Sequence, residues 1–372
     1  MSKICHIISG YYRDDMRVFR RQCLSLHNNN YEVVLLTNDG ESEEIFHGIS
    51  IKVCKKFWGS RLKVLLFAKW QFLNEALEID ADIYQLHSPE LFTIIKDLKK
   101  NGKKVIYDAH EDLPRHIEEK DWIPFFLRKL ISKLADLYQR HSLKKADAII
   151  SPHAHVIKDL SDLSIETEEI TNFPLISSKL SFSLEDFKNR ENIACYAGTV
   201  YPYSNQENTI KAIKSIQKAK YKVAGYIDQD HLNSLRKEDF EDRINFMGRL
   251  NRDNLQNLLY SSVVGLCVYD YKKNLGYKLG SFATNKLFEY MEAGLPVICT
   301  DYEIWKEVVE GHNCGICIEP GNYNQLQEAI KYIFSNKDES YKMGQRGKKA
   351  INEKYNWRTE EDKYLSLVKK IL

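Results

Sequence analysis

Short apolar runs alternate with longer mixed stretches along the whole chain. In the first half, Ile4–Ser9, Val33–Thr37, Ile83–Leu86, Lys104–Tyr107 and Ala148–Ser151 are too short for helices and rich in β-branched residues, so they read as buried strands. The segments between them are long enough for crossover helices, which predicts a parallel α/β sheet. The pattern restarts after Asn172-Phe-Pro, where Asn192–Ala197, Tyr221–Tyr226, Ile244–Met247, Val263–Tyr269, Pro296–Thr300 and Gly315–Ile318 predict a second sheet. A polar stretch, Ser177–Arg190, lies between the two series, and no repeat or low-complexity segment interrupts them.

Length agrees with this division, because 372 residues exceed one ordinary core. The expected architecture is two Rossmann-like, doubly wound parallel-sheet α/β domains facing a central cleft, with ligands bound where strand C-termini converge. Neither first βα loop, Ser9-Gly-Tyr-Tyr-Arg-Asp-Asp or Ala197-Gly-Thr-Val-Tyr-Pro, carries G-x-G-x-x-G, which argues against a dinucleotide-dependent dehydrogenase; a Walker A sequence is absent too. With 54 basic and 52 acidic residues the net charge is +2, so no global field recruits nucleic acid. The eight cysteines are scattered, mostly in apolar runs, and read as small core residues. Cys314-x-x-Cys317, alternating with Ile316 and Ile318, reads as strand rather than a metal or redox site. The first residues lack the apolar stretch of a signal peptide and no run approaches about 20 apolar residues, so the expected compartment is the cytoplasm.

The most informative segment is Asn285-Lys-Leu-Phe-Glu-Tyr-Met-Glu-Ala-Gly-Leu-Pro-Val-Ile. Asn285 is read as an N-cap, Leu287, Phe288 and Met291 as a core face, and Gly294-Leu-Pro as the stop before a strand. A carboxylate at Glu289 can accept two ribose hydroxyls, while the helix N-terminus and Lys286 offer positive potential to a diphosphate. Taken alone, the segment also fits a solvated helix with ordinary caps. A second cluster, Asp108, His110, Glu111 and Asp112, follows a β-run directly and is dense for a connecting loop, which suits either chemistry or loop hydrogen bonding.

Asn285–Ile298 resembles the nucleotide-sugar-binding helix of family 4 of the retaining GT-B-fold glycosyltransferases, and three further segments fit that family in order. Lys3–Leu36, with Arg13-Asp-Asp-Met-Arg-Val-Phe, is similar to the opening strand, loop and helix of a bacterial polysaccharide-assembly branch. Tyr84-Gln-Leu-His-Ser-Pro-Glu-Leu and Val105-Ile-Tyr-Asp-Ala-His-Glu-Asp-Leu-Pro look like two more of its loops, and Phe246-Met-Gly-Arg-Leu like its base-side loop. The resemblance implies a GT-B fold with an acceptor-binding domain over 1–175, a nucleotide-sugar-binding domain over 176–355, and a terminal helix over 356–372 packing back on the first domain. It places Glu289 on the donor ribose and His110 at the catalytic histidine beside the reacting sugar. His87-Ser-Pro-Glu90 would line the acceptor side. Asp14, Asp15 and Arg17 occupy the first βα loop, where many relatives have glycines; a capping Asp15 with Arg17 reaching donor or His110 is the expectation, and a surface ion pair the alternative.

Departures from the family are equally concrete. The loop after the first strand of the second domain commonly supplies Arg and Lys to the diphosphate, but here it reads Gly198-Thr199-Val-Tyr-Pro-Tyr-Ser204-Asn205. The first of two glutamates eight positions apart is Ser281. Arg249, Lys278 and Lys286 are the nearest cations to replace the lost charge, and ordinary surface positions are their alternative. Two stretches, Lys52–Phe72 and Trp122-Ile-Pro-Phe-Phe-Leu-Arg-Lys-Leu-Ile-Ser-Lys-Leu, mix cations with large apolar groups, as a helix lying on an anionic membrane would, or a core-packed helix with a basic outer face. The resemblance thus implies a metal-independent, cofactor-free retaining enzyme moving sugar from a UDP- or GDP-sugar to a glycan acceptor, lipid-linked in surface-polysaccharide synthesis, at the inner face of the cell membrane. A catalytically silent nucleotide-sugar-binding scaffold and a GT-B nucleotide-sugar epimerase are the alternatives.

Overall fold

A computed structural model describes residues 1–54, 61–120, 122–176, 182–236 and 241–372. The chain divides into two compact units, Met1–Asn172 with Trp357–Leu372, and Phe173–Asn356.

The first unit is built on β1 (Lys3–Ile7), β2 (Glu32–Thr37), β3 (Glu44–Phe46), β4 (Ile49–Val53), β5 (Ile83–Leu86), β6 (Lys104–Asp108), β7 (Ala148–Ser151) and β8 (Glu166–Glu169). Their order in the sheet is β3-β4-β2-β1-β5-β6-β7-β8, parallel throughout except for β3 against β4. Because β1 lies between β2 and β5, the connections leave it in opposite directions, and a crevice opens at the C-terminal ends of β1 and β5. Helices cover the faces through apolar stripes; in Phe92–Lys100, for example, Phe92, Ile94, Ile95 and Leu98 are buried. The helix Trp357–Ile371 belongs to this unit: the Trp357 indole donates to Ser25 Oγ (2.8 Å), and Glu360 Oε2 accepts the Thr171 backbone N–H (2.7 Å).

The second unit holds β9 (Ile193–Ala197), β10 (Lys220–Ala224), β11 (Ile244–Gly248), β12 (Val264–Cys267), β13 (Val297–Thr300) and β14 (Gly315–Ile318), all parallel in the order β11-β10-β9-β12-β13-β14. Here the switch of direction is at β9. Strands β9, β12 and β13 are buried at every position, as expected of parallel strands covered on both faces.

Three strands carry no clear apolar run and escape a reading of hydrophobic pattern: the short hairpin β3–β4 and the acidic edge strand β8, Glu-Thr-Glu-Glu. Charged edges are a usual defence against edge-to-edge pairing, so β8 is spelled by its position and not by apolar content. Among the described residues no helix is long and apolar enough to cross a membrane. Of the first basic aromatic stretch, Lys55, Lys56, Phe57 and Trp58 lie outside the described residues, while Trp70 is largely exposed. Helix Phe125–Leu143 buries Ser132, Gln139, Ser142 and Leu143 and exposes Phe125, Phe126, Leu130, Leu134 and Leu137. A core-packed helix would show the reverse.

Candidate functional site

Each unit assembles its own group of polar residues at its switch strand. In the first unit the loop after β1 ends in a cap: Asp15 Oδ1 accepts the backbone N–H groups of Arg17 (2.8 Å) and Val18 (2.9 Å). A π-helical turn, Val18–Cys23, follows, with Gln22 N–H bonded to Arg17 C=O. In an α-helix residues five apart point about 140° from one another. The wider turn instead lets Arg17 and Gln22 act on one target.

That target is Asp108, the last residue of β6 and fully buried. Arg17 grips it bidentately, Nη2 to Oδ1 at 2.7 Å and Nε to Oδ2 at 3.0 Å, while Gln22 Nε2 donates to Oδ2 at 2.8 Å. The remaining Arg17 nitrogen donates to Ile170 C=O (2.7 Å) and Asn172 Oδ1 (2.8 Å). Burial opposes the carboxylate charge, but Arg17 first and His110 after it outweigh it and hold Asp108 well below the usual carboxylate range. Arg17 therefore bonds Asp108 and not His110, the second partner expected for it. Its 5% exposed guanidinium is spent on Asp108 and two further acceptors, because a buried carboxylate at this depth requires a permanent cation.

Around Asp108 Oδ2 stand two imidazoles, His87 Nδ1 at 3.3 Å and His110 Nε2 at 3.2 Å, and the two nitrogens are 3.0 Å apart. These three side chains lie close enough to ligate one metal ion. His87 follows β5 and is buried; His110 follows β6 and retains 12% side-chain exposure. Tyr11 packs its ring 4.9 Å from that of His110, and His153 Nε2 lies 3.1 Å from the His110 carbonyl. Burial is the main cause that lowers His87 to about 4 and His153 to about 3, so both are neutral at pH 7. Asp112 is the N-cap of Leu113–Glu118, accepting from Arg115 N–H.

In the second unit the loop after β9 is set by two glycines. Gly198 (φ +137°) and Gly225 (φ +142°) stand side by side, and a Cβ on Gly225 would fall 2.0 Å from Gly198 C=O. A Cβ on Gly198 would fall 2.4 Å from Lys286 Cε and 2.7 Å from its Nζ. The lysine thus lies across the bare loop, its Nζ 5.2 Å from the Tyr196 ring centre and 5.6 Å from that of Tyr269. Burial lowers its pKa. Tyr196 Oη donates to Thr199 C=O at 2.7 Å and so fixes the same loop.

Lys286 is the second residue of the helix Asn285–Glu292, whose N-cap is Thr284 and not Asn285. Thr284 adopts the extended backbone of a cap but makes no side-chain cap bond, and Asn285, already helical, leaves a buried Oδ1 without partner among the described residues. Glu289 is half-buried one turn beyond Lys286. Ser281 is buried, its Oγ accepting Ala283 N–H (3.1 Å) and its carbonyl the Trp305 indole (2.8 Å), so it is a structural turn residue here. Gly198, Thr199, Asn285, Lys286 and Glu289 are brought together. Arg249 is exposed after β11 with its guanidinium 5.9 Å from the Tyr226 ring, and Lys278 is exposed beside Tyr271. Sequence reasoning missed the aromatic faces of Tyr196 and Tyr269, and in the first unit Gln22, Gln85, His6 and Tyr364; polar residues inside apolar strands were the available signal.

Comparison with known proteins agrees with this division. Residues 17–174 match the model for Glycosyltransferase Family 4, and residues 179–350 that for Glycosyl transferases group 1. An uncharacterised glycosyltransferase of Methanocaldococcus jannaschii is 24% identical over 328 residues, covering 82% of this chain and 79% of its own. Among solved structures, a sucrose-phosphate synthase from Thermosynechococcus elongatus aligns with a TM-score of 0.77 at 15% identity, over 100% of this chain and 99% of its own. Anabaena HepE in complex with UDP and glucose aligns with a TM-score of 0.74 at 13% identity over the full length of both. These structural likenesses speak for the fold and the two family models for the chemistry, and together they identify the chain as a glycosyltransferase of the GT-B type, family 4-like in its first half and group 1-like in its second.

Proposed function

We propose that the protein moves a hexose-type sugar from a nucleotide diphosphate donor, UDP- or GDP-linked, to a hydroxyl of a lipid-linked glycan acceptor in bacterial surface-polysaccharide synthesis, with retention of configuration and without a metal. The observation that carries the reading is the loop after β9, where Lys286 lies against Gly198 at the start of a helix whose cap residue, Thr284, makes no side-chain cap bond. A helix N-terminus and a partly desolvated ammonium suit a diphosphate. Glu289, half-buried one turn beyond Lys286, would accept the ribose hydroxyls. The UDP and glucose of the Anabaena structure favour a UDP-linked donor. In the reaction the bond from the anomeric carbon to the phosphate oxygen breaks as the acceptor oxygen bonds to the same face, and the acceptor proton passes to that phosphate oxygen. His110 binds the sugar and steadies developing charge.

The exposed row Phe126, Leu130, Leu134 and Leu137, at helical spacing and flanked by Lys129 and Lys133, supports docking on the anionic inner face of the membrane, where a lipid-linked acceptor is presented. The deciding experiment is a donor screen by thermal shift followed by transfer assays. A true donor at 100 times its Kd stabilises by about 2.7 kcal/mol. His110→Ala then lowers kcat while donor affinity persists. Binding without transfer in the unmutated protein would instead identify a scaffold, and turnover without acceptor an epimerase.

A further inference from the structure

The first unit contains a closed circuit of buried hydrogen bonds that no step above uses. From Asp108 it runs through Gln22 to Gln85 (Nε2 to Oε1, 2.9 Å), to Tyr364 of the returning helix (2.6 Å), to His6 Nε2 (3.4 Å), from His6 Nδ1 to His87 Nε2 (3.0 Å), and from His87 Nδ1 to His110 Nε2. Gln22, Gln85, Tyr364, His6 and Asp108 are fully buried and His87 nearly so.

The direction of every bond follows from one end. An ionised carboxylate only accepts, so Gln22 must turn its amide N–H to Asp108 and its oxygen to Gln85. Gln85 must then donate to Gln22 and present its oxygen to Tyr364. Two oxygens 2.6 Å apart require a proton between them, so Tyr364 O–H donates to Gln85. The phenol oxygen is left to accept from His6, which fixes His6 as the Nε2–H tautomer. His6 is held neutral by burial, so its Nδ1 is bare and accepts from His87 Nε2–H. His87 is neutral too, and its Nδ1 is therefore bare, although it faces a carboxylate at 3.3 Å.

A bare nitrogen beside a carboxylate oxygen repels unless a proton lies between them. His110 Nε2, 3.0 Å from one and 3.2 Å from the other, is the atom able to supply it. We infer that Gln22, Gln85, Tyr364, His6 and His87 form a positioning relay that holds His110 as its Nε2–H tautomer, leaving Nδ1, which has no partner among the described residues, as a hydrogen-bond acceptor for a hydroxyl of the bound sugar. The functional half of this inference rests on His110 facing the sugar, as proposed above; the tautomer half does not. The alternative occupant of the same triangle is a metal ion, and chelation separates the two.

The test is nitrogen-15 NMR of the histidine rings in the full chain, which reads tautomers without any substrate. His6, His87 and His110 are expected as Nε2–H forms, unchanged by dialysis against EDTA. Finding His87 as the Nδ1–H form, or a spectrum that changes on chelation, overturns the relay whatever the enzyme's activity. Tyr364→Phe removes the acceptor of His6 Nε2–H, and His6 and His87 should both switch to Nδ1–H, His87 now donating to Asp108. With the donor identified, this variant should lose on the order of 10- to 100-fold in kcat with donor KM unchanged, as misplacement of a positioned group does. Switched tautomers with wild-type kcat would overturn the role of the relay in catalysis, and unswitched tautomers the relay itself.

Discussion

The two units solve the same problem, presenting polar groups at a switch strand, in opposite ways. In the first, buried groups satisfy one another: Arg17 and Gln22 donate to Asp108, with His110 and His87 packed beside it. In the second, the groups are left incomplete, with a lysine resting on tyrosine faces, a cap residue whose side chain makes no cap bond, and an amide oxygen without partner among the described residues. A saturated network sets geometry before any ligand arrives, whereas an unsaturated one gains its missing bonds from the ligand. The first should therefore fail through stability and the second through affinity.

The sharpest break is expected from Arg17→Ala, which strands a buried carboxylate. Losing one partner of a buried pair costs about 3–5 kcal/mol, read by denaturant unfolding, with faster hydrogen exchange in β6 and unchanged exchange in β13. Equal effects on both units would refute the contrast. Acid should follow the same division. His87 and His153, lowered to about 4 and 3, bind no proton in the fold where the unfolded chain does. Stability is thus complete above the ordinary histidine pKa near 6.5 and falls as pH drops toward those values, by about 1.4 kcal/mol per pH unit for each. Exchange measured from pH 7 to 5 should show the first unit opening first.

In the second unit, Glu289→Ala and Lys286→Ala should each weaken donor binding by about tenfold or more through lost charged bonds, with unfolding free energy changed by no more than about 1 kcal/mol. Calorimetry showing unchanged nucleotide affinity would remove this helix from the donor. The smallest effect concerns the exposed helix: Phe126→Ala should reduce co-sedimentation with anionic liposomes at low salt without lowering the melting temperature, and binding should fade as salt screens Lys129 and Lys133 over about 8 Å at physiological strength. A melting shift with no vesicle binding would return Phe126 to packing.

Strands such as β9 and β13 were legible because total burial writes itself as an unbroken apolar run, and β8 was not because an edge is spelled in charges. At the site, Glu289 and Lys286 could be read from a helix pattern and a resemblance. Arg17 could not. Its partner lies 91 positions away, and three charges in a turn look solvated until the fold buries one of them. The relay was hidden for the same reason, since Gln85 and His6 are single polar letters in apolar strands whose meaning depends on Tyr364, 279 positions beyond Gln85.

That last separation bears on how the protein is made. Residues 173–356 form a continuous unit that can fold as it leaves the ribosome, but the first unit, emerging earlier, lacks the helix Trp357–Ile371 until the second has been synthesised. Until then Ser25, Gln85 and His6 await Trp357 and Tyr364, so buried polar groups stand open and the nascent first unit is held short of its final core. Translation order thereby becomes a timer, in which the histidine of the first unit is set in place only after the second unit has been synthesised.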